Sequence, residues 1–220
     1  MWHRLPGMTP ASRRLRALTW ANVALHGVGL IVALAGMRPG SVVVPLEARM
    51  AYLASAPLAW AWGWGVWMLC SVLLVAWLAV LRDLLPERST AARLALLLAA
   101  AGMAVDLLCD VIQIAILPAT AEAGARDLFV AFERLAFTGG ATVANGLYTA
   151  AVLLMTLALA GRVSAPARWA GFATVLSGAA MAVAGLLPSP ALLEGATGPT
   201  IGFYSLWTVL VTRDLGAPAS

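Results

Sequence analysis

Six apolar stretches, several of them close to the roughly 20 residues that an α-helix needs to cross a bilayer, alternate along this chain with short turn-forming runs. They fall at about 17–36, 58–81, 93–116, 138–160, 167–187 and 199–212, the sixth being the shortest. Turn signals lie between them: MRPG (37–40), LPER (85–88), SAPAR (164–168) and PSP (188–190). This pattern predicts an all-α fold, a polytopic integral membrane helix bundle of about six transmembrane helices in one domain over 1–220. Composition agrees, with 62% hydrophobic and 11% charged residues against roughly 25% charged in soluble domains.

All 14 basic residues are arginine. Together with the abundant alanine this suggests a GC-rich bacterial genome, and we expect a multi-pass protein of the cell inner (plasma) membrane. The net charge of +4 would suit nucleic acid, but the arginines flank the spans and read as topology determinants, so no nucleic-acid partner is expected. With the N-terminus inside, the inner segments hold Arg4, Arg13, Arg14, Arg16, Arg82, Arg88, Arg93, Arg162, Arg168 and Arg213. The outer segments hold Arg38, Arg49, Arg126 and Arg134. The excess of inner arginine predicts that both termini are cytoplasmic. The first apolar stretch is longer than the 7–15 residues typical of a signal-peptide core, and we read it as a retained helix.

Charge inside a span is expensive, and the third span carries it. In AVDLLCDVIQ (104–113), Asp106, Asp110 and Gln113 are spaced i, i+4, i+7 and fall within a roughly 60° sector of a helix. A carboxylate facing lipid costs about 2.5–3.5 kcal/mol, so this face should point into the bundle. The other spans offer matching polar stripes: Thr19, Asn22, His26 and Gly29 in the first; Thr138, Thr142, Asn145, Thr149 and Thr156 in the fourth; Thr174 and Ser177 in the fifth; Thr200, Tyr204 and Thr208 in the sixth. Depth estimated at about 1.5 Å per residue predicts two pairings, His26 with Asp106 and Asp110 with Asn145 or Thr142. Asp106, Asp110, Gln113, His26, Asn145, Thr142 and Tyr148 are therefore the candidate binding or proton-relay residues. Two carboxylates this close in low dielectric do not both ionise freely, which suits proton relay, cation binding or acid catalysis. The competing reading is a purely structural network, since threonine and glycine stripes also serve helix packing.

WAWGWGVW (60–67) places four tryptophans at the outer end of the second span. We read them as an aromatic belt at headgroup level, with a cavity wall formed by Trp60, Trp64 and Trp67 as the second reading. Two outer segments, 44–57 and 126–137, are amphipathic at helical spacing, and each is predicted to lie along the membrane surface as an interfacial helix. Cys70 and Cys109 lack CxxC spacing and read as free thiols without function.

RMAYLASAPLAWAWGWGVWML, AGMAVDLLCDVIQIAILP and ANGLYTAAVLL together resemble a group of uncharacterised bacterial multi-pass membrane proteins near the DUF4386 domain of unknown function. The resemblance extends over most of the chain and implies a six-span topology. It brings no activity with it.

Three functions compete. The first is a small-molecule, cation or proton binding and transport bundle built around the acidic pair. The second is an intramembrane enzyme that uses acid catalysis, as in membrane-bound terpene cyclases, on a lipid-like substrate. The third is an accessory or assembly subunit of a membrane complex. His26 is the sole histidine within a span, and zinc sites want more nitrogen or sulfur ligands, so neither metal nor cofactor is expected. The partners expected are membrane lipids, and either further copies of the chain or a membrane complex.

Overall fold

The computed structural model describes residues 10–187 and 189–216, and every element among them is helical. Arg4, Pro188 of the PSP turn, and the chain ends whose side was predicted lie outside these residues. The elements are α1 (Pro10–Val32), α2 (Leu46–Ser55), α3 (Pro57–Asp83), α4 (Thr90–Val111), α5 (Leu117–Glu122), α6 (Arg126–Phe137), α7 (Asn145–Ala158), α8 (Ala165–Leu186) and α9 (Pro190–Gly216). Three π-helical segments join or extend them: Ala33–Met37 after α1, Ile112–Ile116 between α4 and α5, and Thr138–Ala144 between α6 and α7.

The starts and stops follow local chemistry. Proline occupies the first turn of α3 and of α8, where its missing N–H is no loss. Ser89 caps α4 by accepting the Ala92 N–H (3.3 Å). The turn from α5 to α6 passes through Gly124 at φ +64°, a left-handed conformation that glycine adopts without strain.

Five helical runs are long and apolar enough to cross a membrane: Pro10–Gly40, Pro57–Asp83, Thr90–Glu122, Arg126–Ala158 and Ala165–Leu186. α9 is long enough at 27 residues but is less apolar, with Glu194, Pro199 and several glycines in its first half. The third and fourth runs have 33 residues each. That is about 50 Å of helix against a hydrocarbon core of about 30 Å, so this hairpin projects well beyond the spans read from sequence. The predicted interfacial helix at 126–137 is corrected accordingly. It is α6, the opening of an unbroken helical run, and it packs on α5 and α4. Its strong polar and apolar faces reflect a helix half inside the protein. The other outer segment does form a separate short helix, α2.

The six long runs make a ring in chain order. α1 packs on α3, α3 on α4, α4 on α7, α7 on α8, α8 on α9, and α9 closes the ring on α1. Cross-links between neighbouring helix ends show that the runs alternate in direction. At the arginine-rich end, Thr19 bonds Thr212 (2.6 Å) and the Ser164 N–H donates to Asp214 (2.8 Å). At the opposite end, Arg49 clasps Glu133 with two hydrogen bonds of 2.6 Å each, and Tyr52 donates to the Gly36 carbonyl (2.5 Å).

The arginine-rich half of the ring is filled. Trp77 and Trp207 meet edge to face at 5.2 Å amid Leu78, Leu81, Met155 and Val211, all fully buried. Trp77 Nε1 donates to the Thr19 hydroxyl (2.7 Å), which itself donates to the Leu15 carbonyl (2.9 Å). Thr19, Asn22, His26 and Gly29 are all buried on α1, as their spacing predicts.

Between α7 and α8 runs a regular seam. Gly171, Gly178 and Gly185 recur every seven residues on α8, and a Cβ added to each would collide with the hydroxyl of Thr156, Thr149 and Thr142 in turn. Glycine is what lets these two backbones approach.

Candidate functional site

The half of the ring away from the arginine-rich end is hollow. A cavity of about 550 Å³ opens there, within the range of small-molecule sites, and all six long runs contribute to its wall. Asp106, Asp110 and Gln113 all line it, so the face read from sequence points inward as expected. His26, Asn145 and Tyr148 line it too, while Thr142 does not.

Some of these polar groups have a particular partner, and Asp110 does not. The Tyr148 hydroxyl donates to Asp106 Oδ2 (3.2 Å). Asp110 is only 2% exposed, and its Oδ2 has no hydrogen-bond partner among the described residues. His26 Nδ1 donates to the Asn22 carbonyl (2.9 Å), which leaves Nε2 as the acceptor nitrogen of the neutral ring. That ring sits between Trp67 and Tyr204, with centroids at 6.4 Å and 5.2 Å.

The two predicted pairings are not formed. His26 is held by its own helix, and Asp106 takes Tyr148 instead. Asn145 Nδ2 donates to the Gly140 carbonyl (2.9 Å) and Thr142 to the Ala182 carbonyl (3.0 Å), so neither reaches Asp110. The reason is the π segment Thr138–Ala144. Its wider turns break the 100° spacing that put Thr142 and Asn145 on one face. Thr142, Thr149 and Thr156 turn to the glycine seam of α8, with Thr149 also reaching the cavity. The fourth-span stripe is thus largely packing.

The second π segment shapes the site as well. Leu117 N–H reaches back five residues to Ile112, and Pro118 has no N–H to offer the Gln113 carbonyl. That carbonyl accepts Trp60 Nε1 instead, at 2.8 Å. It is Gln113's backbone, not its amide, that binds Trp60.

Three of the four clustered tryptophans line the cavity: Trp60, Trp64 and Trp67. Trp62 alone faces outward, 77% exposed. The aromatic belt read from sequence is therefore corrected to a cavity wall plus one outward indole. The signal was available, because Trp60, Trp64 and Trp67 repeat the i, i+4, i+7 spacing of Asp106, Asp110 and Gln113. Trp64 Nε1 is buried without an acceptor, a second polar atom unsatisfied beside the cavity. Cys70 and Cys109 are buried free thiols, and both contact the cavity.

The mouth carries charge of both signs. Arg38 and Glu194 face each other there at 3.9 Å. Glu133 also lines the cavity but is held by Arg49, whose Nη1 donates on to the Val44 carbonyl (2.7 Å). No protein-family model matches the chain, and no curated protein or solved structure shows significant similarity to it.

Proposed function

We propose that this chain is a six-span membrane protein, both termini cytoplasmic, that binds and moves a small molecule through the hollow half of its ring. One observation carries the reading: a cavity of about 550 Å³ with Asp106 and Asp110 on a mostly apolar wall. Buried intramembrane acids are functional by default, and an unsatisfied carboxylate oxygen is retained at a cost that a bound partner would offset. The Trp77–Trp207 contact blocks the way toward the arginine-rich end, as a carrier open on one side requires. α9 counts as the sixth span because it completes the ring. Placement in a bacterial inner membrane rests on composition. A second reading, acid catalysis on a lipid-like substrate, draws on the Tyr148–Asp106 hydrogen bond inside an aromatic-lined space.

Occupancy is the test. Binding to the folded state alone raises the melting temperature, so 4-phenylbutanol, which fits the cavity, should stabilise the detergent-solubilised protein. Gly140 lines the cavity beside Asp106, and a Cβ there would make ordinary van der Waals contact, 3.9 Å from Asp106 Oδ1 and from Cys109 Cβ. Gly140→Phe should put a ring into the cavity beside Asp106 and reduce the stabilisation while the protein still folds. A wild-type protein unmoved by the compound, or a Gly140→Phe protein that responds as wild type does, would sink the reading.

A further inference from the structure

The polar groups around the cavity are not all matched, and the mismatch names a ligand class. Among the described residues Arg38 is the one arginine on the wall, and it faces Glu194 at the mouth. Glu133 has Arg49. Asp106 and Asp110 have no cation, and only Asp106 has a hydrogen-bond donor, the Tyr148 hydroxyl. Asp110 shares the cavity wall with Trp64 and Trp67, whose indoles carry electron-rich π-faces. Such faces attract a positive charge held within about 6 Å.

We infer that the cavity takes an organic cation, an alkyl- or arylalkyl-ammonium whose N–H groups rest on Asp110 and whose apolar body lies against Trp64 and Trp67. This rests on reading the cavity as a ligand site. An anion would meet two carboxylates with no inner arginine to receive it. A bare metal ion would need a set of hard or soft ligands, and no group of three His, Cys, Asp or Glu residues able to hold one occurs among the described residues. A neutral alcohol satisfies one hydrogen bond and leaves the charge uncompensated. An ammonium ion with its own hydrocarbon satisfies the carboxylate, the indole faces and the aliphatic wall together.

Three compounds of one shape decide the matter: 4-phenylbutylamine, 4-phenylbutanol and 4-phenylbutanoate, titrated calorimetrically into the detergent-solubilised full chain at neutral pH. The expected order is ammonium first, at least about tenfold tighter than the alcohol, with the carboxylate weakest. Asp110→Asn should bring the ammonium within about threefold of the alcohol by removing the charge-assisted bond. Trp67→Leu should weaken the ammonium more than the alcohol, since only the cation uses the π-face. Equal binding of amine and alcohol to wild type would overturn the cation assignment and leave the cavity reading standing. Failure of all three compounds to bind would overturn both. Should Asp110→Asn not fold, the wild-type order of the three compounds still decides.

Discussion

Asp214 joins two helices at the arginine-rich end by accepting the Ser164 N–H at 2.8 Å and the Arg213 guanidinium at 2.8 and 3.0 Å. Burial alone would push its carboxyl up, but the Ser164 and Arg213 hydrogen bonds outweigh it and hold the pKa below the ordinary carboxylate value. The folded state therefore prefers the ionised form more than the unfolded chain does. The stabilisation is complete above an unfolded value of about 4 and is lost as pH falls through the folded one. Melting temperatures measured between neutral and strongly acidic pH should show an acid-side loss that is smaller in Asp214→Asn; identical profiles would refute this. Arg49 and Glu133 form the other decisive pair, with side chains only 14% and 10% exposed. Glu133→Leu should cost about 2–3 kcal/mol by leaving the guanidinium without its carboxylate, read from chemical or thermal unfolding in detergent. The inward face of Asp106, Asp110 and Gln113 was legible because lipid excludes carboxylates. Their partners were not: Asp106 takes Tyr148, while the π segment Thr138–Ala144 leaves Asn145 on the Gly140 carbonyl and Thr142 on the Ala182 carbonyl, away from Asp110.

Gly178 tests the seam between α7 and α8. A methyl group there meets the Thr149 hydroxyl, while Gly195 on α9 has open space. Gly178→Ala should destabilise by about 1–3 kcal/mol, and Gly195→Ala should be near neutral. Thr149→Ala combined with Gly178→Ala should recover much of the loss, giving a coupling that a double-mutant cycle measures; additive losses would show that the two residues do not share one contact. Helix existence was readable for the five runs that are apolar at bilayer length, and less so for α9. Helix extent was not. The 33-residue runs continue past their apolar cores as α5 and α6, whose mixed polarity resembles a surface helix when read alone. The π segments were invisible for a related reason: periodicity arguments assume one period, and GG (139–140) or a proline at 118 hints at a break without stating its hand or size. The threonine stripe of the fourth span looked like a single face for that reason, and divides in the structure.

The ring makes a topological demand on α9. If it spans, a tag at Ser220 and one at the Gly161 turn lie on the same side, and a tag at the Gly124 turn lies on the other. Impermeant labelling of single tags in intact cells should find Gly124 outside and both Gly161 and Ser220 inside. Ser220 and Gly161 on opposite sides would mean that α9 does not cross. The ring also has a consequence for biogenesis. Each long helix packs on the one made just before it, so a nascent chain can add helices one at a time to a growing curved wall. Only the contact between α1 and α9 must wait for the last helix to emerge. Until then the wall is open at one edge, with Asp106 and Asp110 facing the gap. The least apolar helix enters last, onto a surface already built to receive it, and its arrival is what shields the acids from lipid. A chain stalled or cut before α9 would display two carboxylates to the bilayer, the kind of exposed polarity by which membrane quality control tells an unfinished protein from a finished one.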